Sequence, residues 1–356
     1  MLERNEILKV RELLNESQNP LFFFDNDSDG LASFLLLRRF INRGKGVVIK
    51  SYPSLSHAYI SKVNEFNPDF IFILDKPLID KDFLSEVLSR GIKVVWIDHH
   101  PLDDKEIKEI IKNIFYFNPL FSPENPSNEP VSYWCYKIVD KKEDAWISLI
   151  GCVGDWFTPE FYQEVSSQYP DLLPPKVKDA PTLLFSSGFG KLIKLVNLAL
   201  KDKTTNVMKM LKFLYQIKSP KELMEENEKT KSMYSRYNQI SRKYEKLMEK
   251  AKNAAKTKGK LLFFQYSGDL ALSGELANEL YYLFPQKMIV VSYVNGEDAK
   301  LSIRGSFDVR EITRKAIEKT SGRSGGHKNA CAAILRISEL ELFKEEVLKQ
   351  LKDNQE

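Results

Sequence analysis

Leu21-Phe22-Phe23-Phe24, Phe70-Ile71-Phe72-Ile73-Leu74 and Val94-Val95-Trp96-Ile97 are apolar at every position, and an aspartate follows each of them directly. A strand without polar alternation is buried on both faces, which suits a parallel sheet covered by helices rather than an antiparallel sheet with one wet side. The stretches between these runs have helical spacing, as at Leu2, Ile7, Leu8, Val10 and Leu13, and the block Leu31 to Phe40 reads as a helix packed on the first strand. Val47-Val48-Ile49 adds a further strand. This alternation predicts an α/β amino domain: a mostly parallel sheet flanked by helices. Ligands of such sheets bind beyond the carboxyl ends of the strands. The residues that end each strand are therefore the ones to read for chemistry.

After the first strand comes Asp25-Asn26-Asp27-Ser28-Asp29-Gly30. Three ionised carboxylates so close together need something to neutralise them. The pattern also opens a helix–loop–helix calcium loop, but that loop follows a helix and closes on Glu at its twelfth position, which here is Leu36. Asp75 ends the second apolar run, where Asp-Lys-Pro also reads as an ordinary turn. The third run leads into Asp98-His99-His100-Pro101, with two of the four histidines of the chain. Adjacent imidazoles beside a carboxylate at a strand end are metal-ligating chemistry. Gly151-Cys152-Val153-Gly154-Asp155-Trp156 reads as a Gly-x-x-Gly turn closing an apolar helix. Asp25, Asp27, Asp29, Asp75, His99 and Asp155 are thus expected at one edge of one sheet. Oxygen-rich donors with an imidazole favour manganese or magnesium. Five carboxylates would over-charge one ion, whereas two ions about 3.5–4 Å apart clamp a phosphoryl group for displacement. The expected chemistry is a two-metal phosphoesterase.

Composition removes several other classes. With 356 residues, 43% of them hydrophobic, the chain can bury more than one core. Cys135, Cys152 and Cys331 are scattered, which excludes a disulfide framework and a cysteine-rich zinc site. No apolar run approaches the roughly 18–20 residues of a membrane span, and the charged start MLERNEILKVRELLNE is no signal peptide. A cytoplasmic protein without a membrane partner is expected. Residues 156–200 carry five prolines and then turn helical. From Lys221 to about Lys256 there is neither Pro nor Gly, and Met233, Tyr237, Ile240, Tyr244, Leu247 and Ala251 form one stripe. A single linker helix is expected there, about 50 Å long at ~1.5 Å per residue. Beyond Lys260, the strands Leu261 to Phe264, Met288 to Val294, Lys300 to Arg304 and Ala330 to Ile337, with an Asn295-Gly296 hairpin turn and a helix Val309 to Lys319, predict a smaller α/β domain with a mixed sheet. The expected divisions are 1–156 (metal-binding), 157–259 (helical insert and linker helix) and 260–356 (substrate-binding).

In this order, D-N-D-S-D-G, the Asp75 strand end, D-H-H-P and G-D-W resemble the amino-domain motifs of the DHH phosphoesterase superfamily. Lys300-Leu301-Ser302-Ile303-Arg304 and Ser324-Gly325-Gly326-His327-Lys328-Asn329-Ala330 resemble its associated carboxyl domain. Phe23 stands where one branch of that family has a histidine, and Asp25 stands where RecJ-like nucleases have an acid. The resemblance implies two Mn2+ or Mg2+ ions: Asp27 and Asp29 hold one each, Asp75 bridges both, and His99 and Asp155 complete the second site. Asp25 would be a further ligand or would support one. Asp98 would orient a histidine, and His100 would donate to the scissile phosphate or the leaving oxygen. Substrate would be held by Ser302, Arg304, Gly325, Gly326, His327 and Asn329. The two glycines either let backbone N–H groups approach a phosphate or simply make a turn.

The implied activity is that of a RecJ-like exonuclease, hydrolysing single-stranded DNA or RNA from an end by metal-activated water, with DNA repair as the setting. A pAp phosphatase or a nanoRNA or cyclic-dinucleotide hydrolase is the alternative within the same chemistry, and a non-catalytic replication scaffold is the alternative outside it. Single-stranded nucleic acid is the expected partner, with a helicase or replication protein by family habit. Residues 218–260 hold 13 Lys/Arg and six Asp/Glu, a net +7 in a chain of +4, which suits a polyanion. Tyr234, Tyr237 and Tyr244 there serve either to stack bases or to pack the helix.

Overall fold

The computed structural model describes residues 2–51, 54–102, 108–109, 111–256, 259–326 and 328–353. Its contacts divide the chain into two compact units, Met1–Tyr237 and Asn238–Glu356.

In the first unit, β1 (Leu21–Asp25), β2 (Lys45–Ile49), β3 (Phe70–Leu74), β4 (Lys93–Ile97) and β5 (Phe115–Phe117) form one sheet in the order β2-β1-β3-β4-β5, with every pairing parallel. Both faces are buried, as the unbroken apolar runs require. Phe22, Phe24, Phe72, Leu74, Val95 and Ile97 enter one core cluster, whereas Phe23, Ile71, Ile73, Val94 and Trp96 enter another. Each such side chain contributes about 1.5–3 kcal/mol by leaving water. On the first face lie α1 (Arg4–Glu16) and α2 (Ser28–Ile41); on the second lie α3 (Ile60–Phe66) and α4 (Lys81–Ser89). The first face also carries α5 (Val131–Val139) and α6 (Ala145–Gly154). β5 had no sequence signal, because Phe115-Tyr116-Phe117 is too short to show a period.

α7 (Gly188–Leu200) and α8 (Thr204–Leu214) extend the same core with Phe189, Leu192, Ile193, Met210 and Leu211. Arg39 ties them down. Its guanidinium meets both oxygens of Asp144, at 3.2 and 2.7 Å, and donates to the carbonyls of Leu214, Tyr215 and Ile217 at the end of α8.

The long helix expected from Lys221 is broken. A single turn, Lys221–Met224, ends before α9 (Lys231–Ala254) begins. At the break the Thr230 hydroxyl accepts from the Asn227 N–H (2.9 Å) and donates to the Glu225 carbonyl (2.6 Å), while Asn227 Oδ1 accepts from the Lys229 N–H. These side chains take the backbone groups a continuing helix would need. The buried stripe of α9 is Met233, Ile240, Tyr244, Met248 and Ala251, with Met248 in the place expected for Leu247.

The second unit has the expected mixed sheet. β6 (Leu261–Ser267), β7 (Met288–Asn295), β8 (Asp298–Arg304), β9 (Arg323–Gly326) and β10 (Ala330–Arg336) are ordered β9-β10-β8-β7-β6, and β6–β7 is the parallel pair. Gly296 turns the β7–β8 hairpin at φ +64°. α10 (Ser273–Leu283), α11 (Val309–Ile317) and α12 (Leu340–Asp353) complete the unit; the sequence pattern reveals only α11. The Ser324–Gly326 segment is an edge strand, paired through Gly325 with Ala332 and through Gly326 with Cys331.

Candidate metal centre

Parallel pairing sets Phe24 beside Leu74, Leu74 beside Ile97 and Ile97 beside Phe117. The next residue on each strand is therefore in one row: Asp25, Asp75, Asp98 and Asn118. The backbone continues the ladder, with the Asp75 N–H on the Ile97 carbonyl and the Asp98 N–H on the Phe117 carbonyl, both at 3.0 Å. Asp75 leaves the sheet at φ +57°, a left-handed conformation that costs a non-glycine residue about 1–3 kcal/mol.

Past β1 the chain turns directly into α2. Asp27 caps that helix, its Oδ1 accepting from the Gly30 N–H at 3.0 Å. A Cβ on Gly30 would lie 2.6 Å from the Asp25 carbonyl oxygen, so only glycine fits this turn. Asp29, fully buried, accepts from the N–H groups of Val131 (2.8 Å) and Ser132 (2.9 Å), the first two residues of α5. The helix N-terminus thus stabilises this carboxylate. Asp155 follows α6. Gly151 and Gly154, read from sequence as a turn, are the last helical residues instead. A Cβ at 151 would meet Ser132 at 2.3 Å and one at 154 would meet Ser28 Oγ at 1.9 Å, so these glycines let α6 approach its neighbours.

His99 Nε2 stands between two strand- and helix-end acids, 3.4 Å from Asp75 Oδ1 and 3.3 Å from Asp155 Oδ2. Donor atoms of Asp29, His99 and Asp155 lie within 4.8 Å of one another, as do those of Asp75, His99 and His100. His100 turns Nδ1 toward Asp98 Oδ1 at 2.9 Å, its backbone N–H reaches Asp98 Oδ2, and Asn118 Nδ2 donates to its carbonyl. One member of the cluster escaped the sequence reading. Lys76, 1% exposed, donates from Nζ to Asp25 Oδ1 (2.9 Å) and to the Ser51 carbonyl (3.0 Å). Its only sequence signal is its place directly after a strand-end aspartate.

The charges sort into paired and unpaired groups. Burial alone would raise Asp98, but the charge and hydrogen bond of His100 outweigh it and hold the carboxyl below its ordinary pKa. Burial likewise disfavours the His100 cation, yet Asp98 raises that imidazole to about 9. His99 is pushed down by burial and by His100, which keeps it in the neutral, ligating form. Asp27 rises to about 7 through burial and then the Asp25, Asp155 and Asp29 charges. Asp155 also reaches about 7, through burial and Asp29, with His100 opposing. Asp75 rises well above the carboxylate range through burial, Asp29 and Asp27. Three carboxylates that resist ionising together, beside a neutral imidazole, are the donor set a hard divalent cation satisfies. The residues fit such an ion.

The carboxyl-terminal candidates are more engaged with their own unit. Ser302 Oγ contacts Ser273 Oγ at 2.9 Å, Arg304 Nε donates to Asn278 Oδ1 at 2.7 Å, and Asn329 Nδ2 donates to the Gly305 carbonyl at 2.9 Å. Gly326 sits at φ +132°, where a Cβ would be 2.6 Å from the Ala330 carbonyl oxygen; Gly325 has open space around it. His327 lies outside the described residues. Tyr244 is corrected as a stacking candidate: it is 3% exposed, with its hydroxyl on Glu279 Oε2 at 2.7 Å. Tyr234 is half-buried and donates to the Leu223 carbonyl.

Residues 245–353 match the DHHA1 domain. Among solved structures the chain is similar to RecJ from Thermus thermophilus in complex with Mn2+, with 15% identity and a TM-score of 0.72 over 99% of this chain and 55% of that one. The chain thus spans about half the length of that RecJ. A manganese-bound exonuclease RecJ matches at 15% identity with a TM-score of 0.64, over 99% of this chain and 95% of that one. A pGpG-specific phosphodiesterase from Vibrio cholerae matches at 13% identity with a TM-score of 0.52, over 94% and 99%. No curated protein sequence matches the chain. The chain carries a DHHA1 domain over residues 245–353 and has a RecJ-like fold.

Proposed function

We propose that the protein is a divalent-metal-dependent phosphodiesterase that removes nucleotides from the end of single-stranded DNA or RNA. The observation that carries this reading is the convergence of Asp29, Asp75 and Asp155, from the start of α2 and the ends of β3 and α6, on the neutral imidazole of His99 after β4, with Asp27 at the cap of α2 close enough to share their charge. These residues would hold two Mn2+ or Mg2+ ions, which supply Lewis-acid polarisation of the phosphoryl group and a lowered pKa for water.

The protein's own part is positioning and proton supply. Asp98 keeps a proton on His100 Nδ1 and holds the ring as a cation at neutral pH. A cationic imidazole beside the carboxylates is placed to donate a hydrogen bond to a phosphoryl oxygen or a proton to the leaving oxygen. Asn118 fixes the His100 backbone from the neighbouring strand. In the second unit, open backbone at Gly325 on edge strand β9 supports a site for a terminal phosphate.

A second reading is hydrolysis of short oligonucleotides. Its support is the fold similarity to a pGpG-specific phosphodiesterase, at a TM-score of 0.52 against 0.72 for RecJ. A time course with Mn2+ on end-labelled DNA and RNA from two to thirty nucleotides separates the two. Shortening of long single strands one nucleotide at a time supports the exonuclease; turnover confined to dinucleotides or pAp overturns it.

A further inference from the structure

We infer that Lys76 is a positioning residue that keeps Asp25 out of the metal-ligand set, its ammonium balancing that carboxylate in place of a metal ion. The inference rests on the proposed metal centre and deepens it.

Asp25 Oδ1 already accepts twice, from Lys76 Nζ at 2.9 Å and from the Asn26 N–H at 2.9 Å. The lysine is held from several sides. Its Nζ also donates to the Ser51 carbonyl, its backbone carbonyl accepts from Trp96 Nε1 at 2.9 Å, and it is 1% exposed. The left-handed turn at Asp75 comes immediately before it, so one backbone kink places both the metal-facing acid and the ammonium. Breaking such a pair leaves a charge without a counter-charge in a poorly solvated place, so the pair behaves as a unit.

The six acids at this edge then divide cleanly. Asp98 is matched by His100, Asp29 by two N–H groups at the N-terminus of α5, and Asp25 by Lys76. Asp27, with the single Gly30 N–H, and Asp75 and Asp155 have no such built-in match among the described residues; together with Asp29, whose two N–H partners bring no full counter-charge, they carry the charge left for metal, with His99 between Asp75 and Asp155. A fixed positive charge next to Asp75 also lowers the attraction of the site for cations.

Removing the ammonium should therefore strengthen metal binding, the opposite of what loss of a merely structural lysine would do. The test is calorimetric titration of the metal-free full chain with Mn2+, with circular dichroism to confirm folding. Lys76→Met is expected to tighten the Mn2+ dissociation constant about tenfold or more, equivalent to ~1.4 kcal/mol. The double variant Lys76→Met/Asp25→Asn should return to within about threefold of the parent. Weaker or unchanged Mn2+ binding in folded Lys76→Met overturns the inference, as does tenfold weaker binding in the double variant, which would make Asp25 a ligand. Should Lys76→Met fail to fold, the double variant, which strands no charge, decides alone. Failure of the parent protein to bind Mn2+ at all would instead refute the metal-centre reading.

Discussion

Gly151→Ala tests whether helix packing positions the proposed metal-holding residues. The added Cβ would lie 2.3 Å from Ser132 Oγ, 2.6 Å from Ser132 Cβ and 2.9 Å from Asp29 Oδ1. Carbon atoms in contact sit about 3.5–4 Å apart. Ser132 can rotate its hydroxyl away but not its Cβ, so α5 and α6 must separate by about 1 Å. Overpacking of this kind costs about 1–3 kcal/mol. The movement also stretches the 2.8 and 2.9 Å bonds from Val131 and Ser132 to Asp29, and hydrogen bonds to a charged group contribute about 1.5–3 kcal/mol each. A total loss of about 3 kcal/mol is expected. Because Asp29 is held by α5 and Asp155 follows α6, Mn2+ affinity should fall about tenfold as well. All four tryptophans (Trp96, Trp134, Trp146, Trp156) lie in the first unit, so their fluorescence in urea reports that unit alone. Gly91→Ala is the control: its φ is +72° with nothing within 4 Å, so it should cost about 1–2 kcal/mol of backbone strain and leave Mn2+ binding unchanged. A Gly151→Ala midpoint within 0.5 kcal/mol (roughly the spread of neutral substitutions) would refute the packing argument. Lost stability with unchanged Mn2+ affinity would refute its link to the site.

Arg39→Met should destabilise the first unit by about 3–5 kcal/mol, since it strands buried Asp144 and three carbonyls at the end of α8; a loss below about 1 kcal/mol in the same urea experiment contradicts that role. The raised Asp155 pKa gives a pH signature in metal-free protein. A carboxyl whose folded pKa is about 7 stabilises the fold fully only below its unfolded value near 4, and that contribution is lost as pH rises toward 7. Asp155→Asn removes the loss, so the stability of the variant relative to the parent should grow between pH 4 and 7; a difference that is flat with pH would count against the shared charge. Asp98→Asn should lower the His100 pKa from about 9, moving the alkaline limb of the activity profile to lower pH while Mn2+ affinity stays within about threefold; an unmoved limb would separate His100 from proton supply.

The amino-acid sequence alone determined which segments become strands and what ends them. Leu21 to Phe24, Phe70 to Leu74 and Val94 to Ile97 can only be buried on both sides, and an ionised aspartate can only stop such a run at its edge. The single long helix expected from Lys221 is interrupted because the absence of Pro and Gly does not reveal that Asn227 and Thr230 will bond their own backbone. What only the tertiary structure decided is who meets whom. The in-register row of Phe24, Leu74, Ile97 and Phe117 aligned acids some fifty and seventy positions apart, Gly151 and Gly154 proved to be helix contacts rather than a turn, and Lys76 was drawn inside to Asp25. Periodicity records how far a side chain is from water. It carries no record of which distant charge will share its low-dielectric surroundings, and that pairing sets both the carboxylate pKa values and the charge left for a metal.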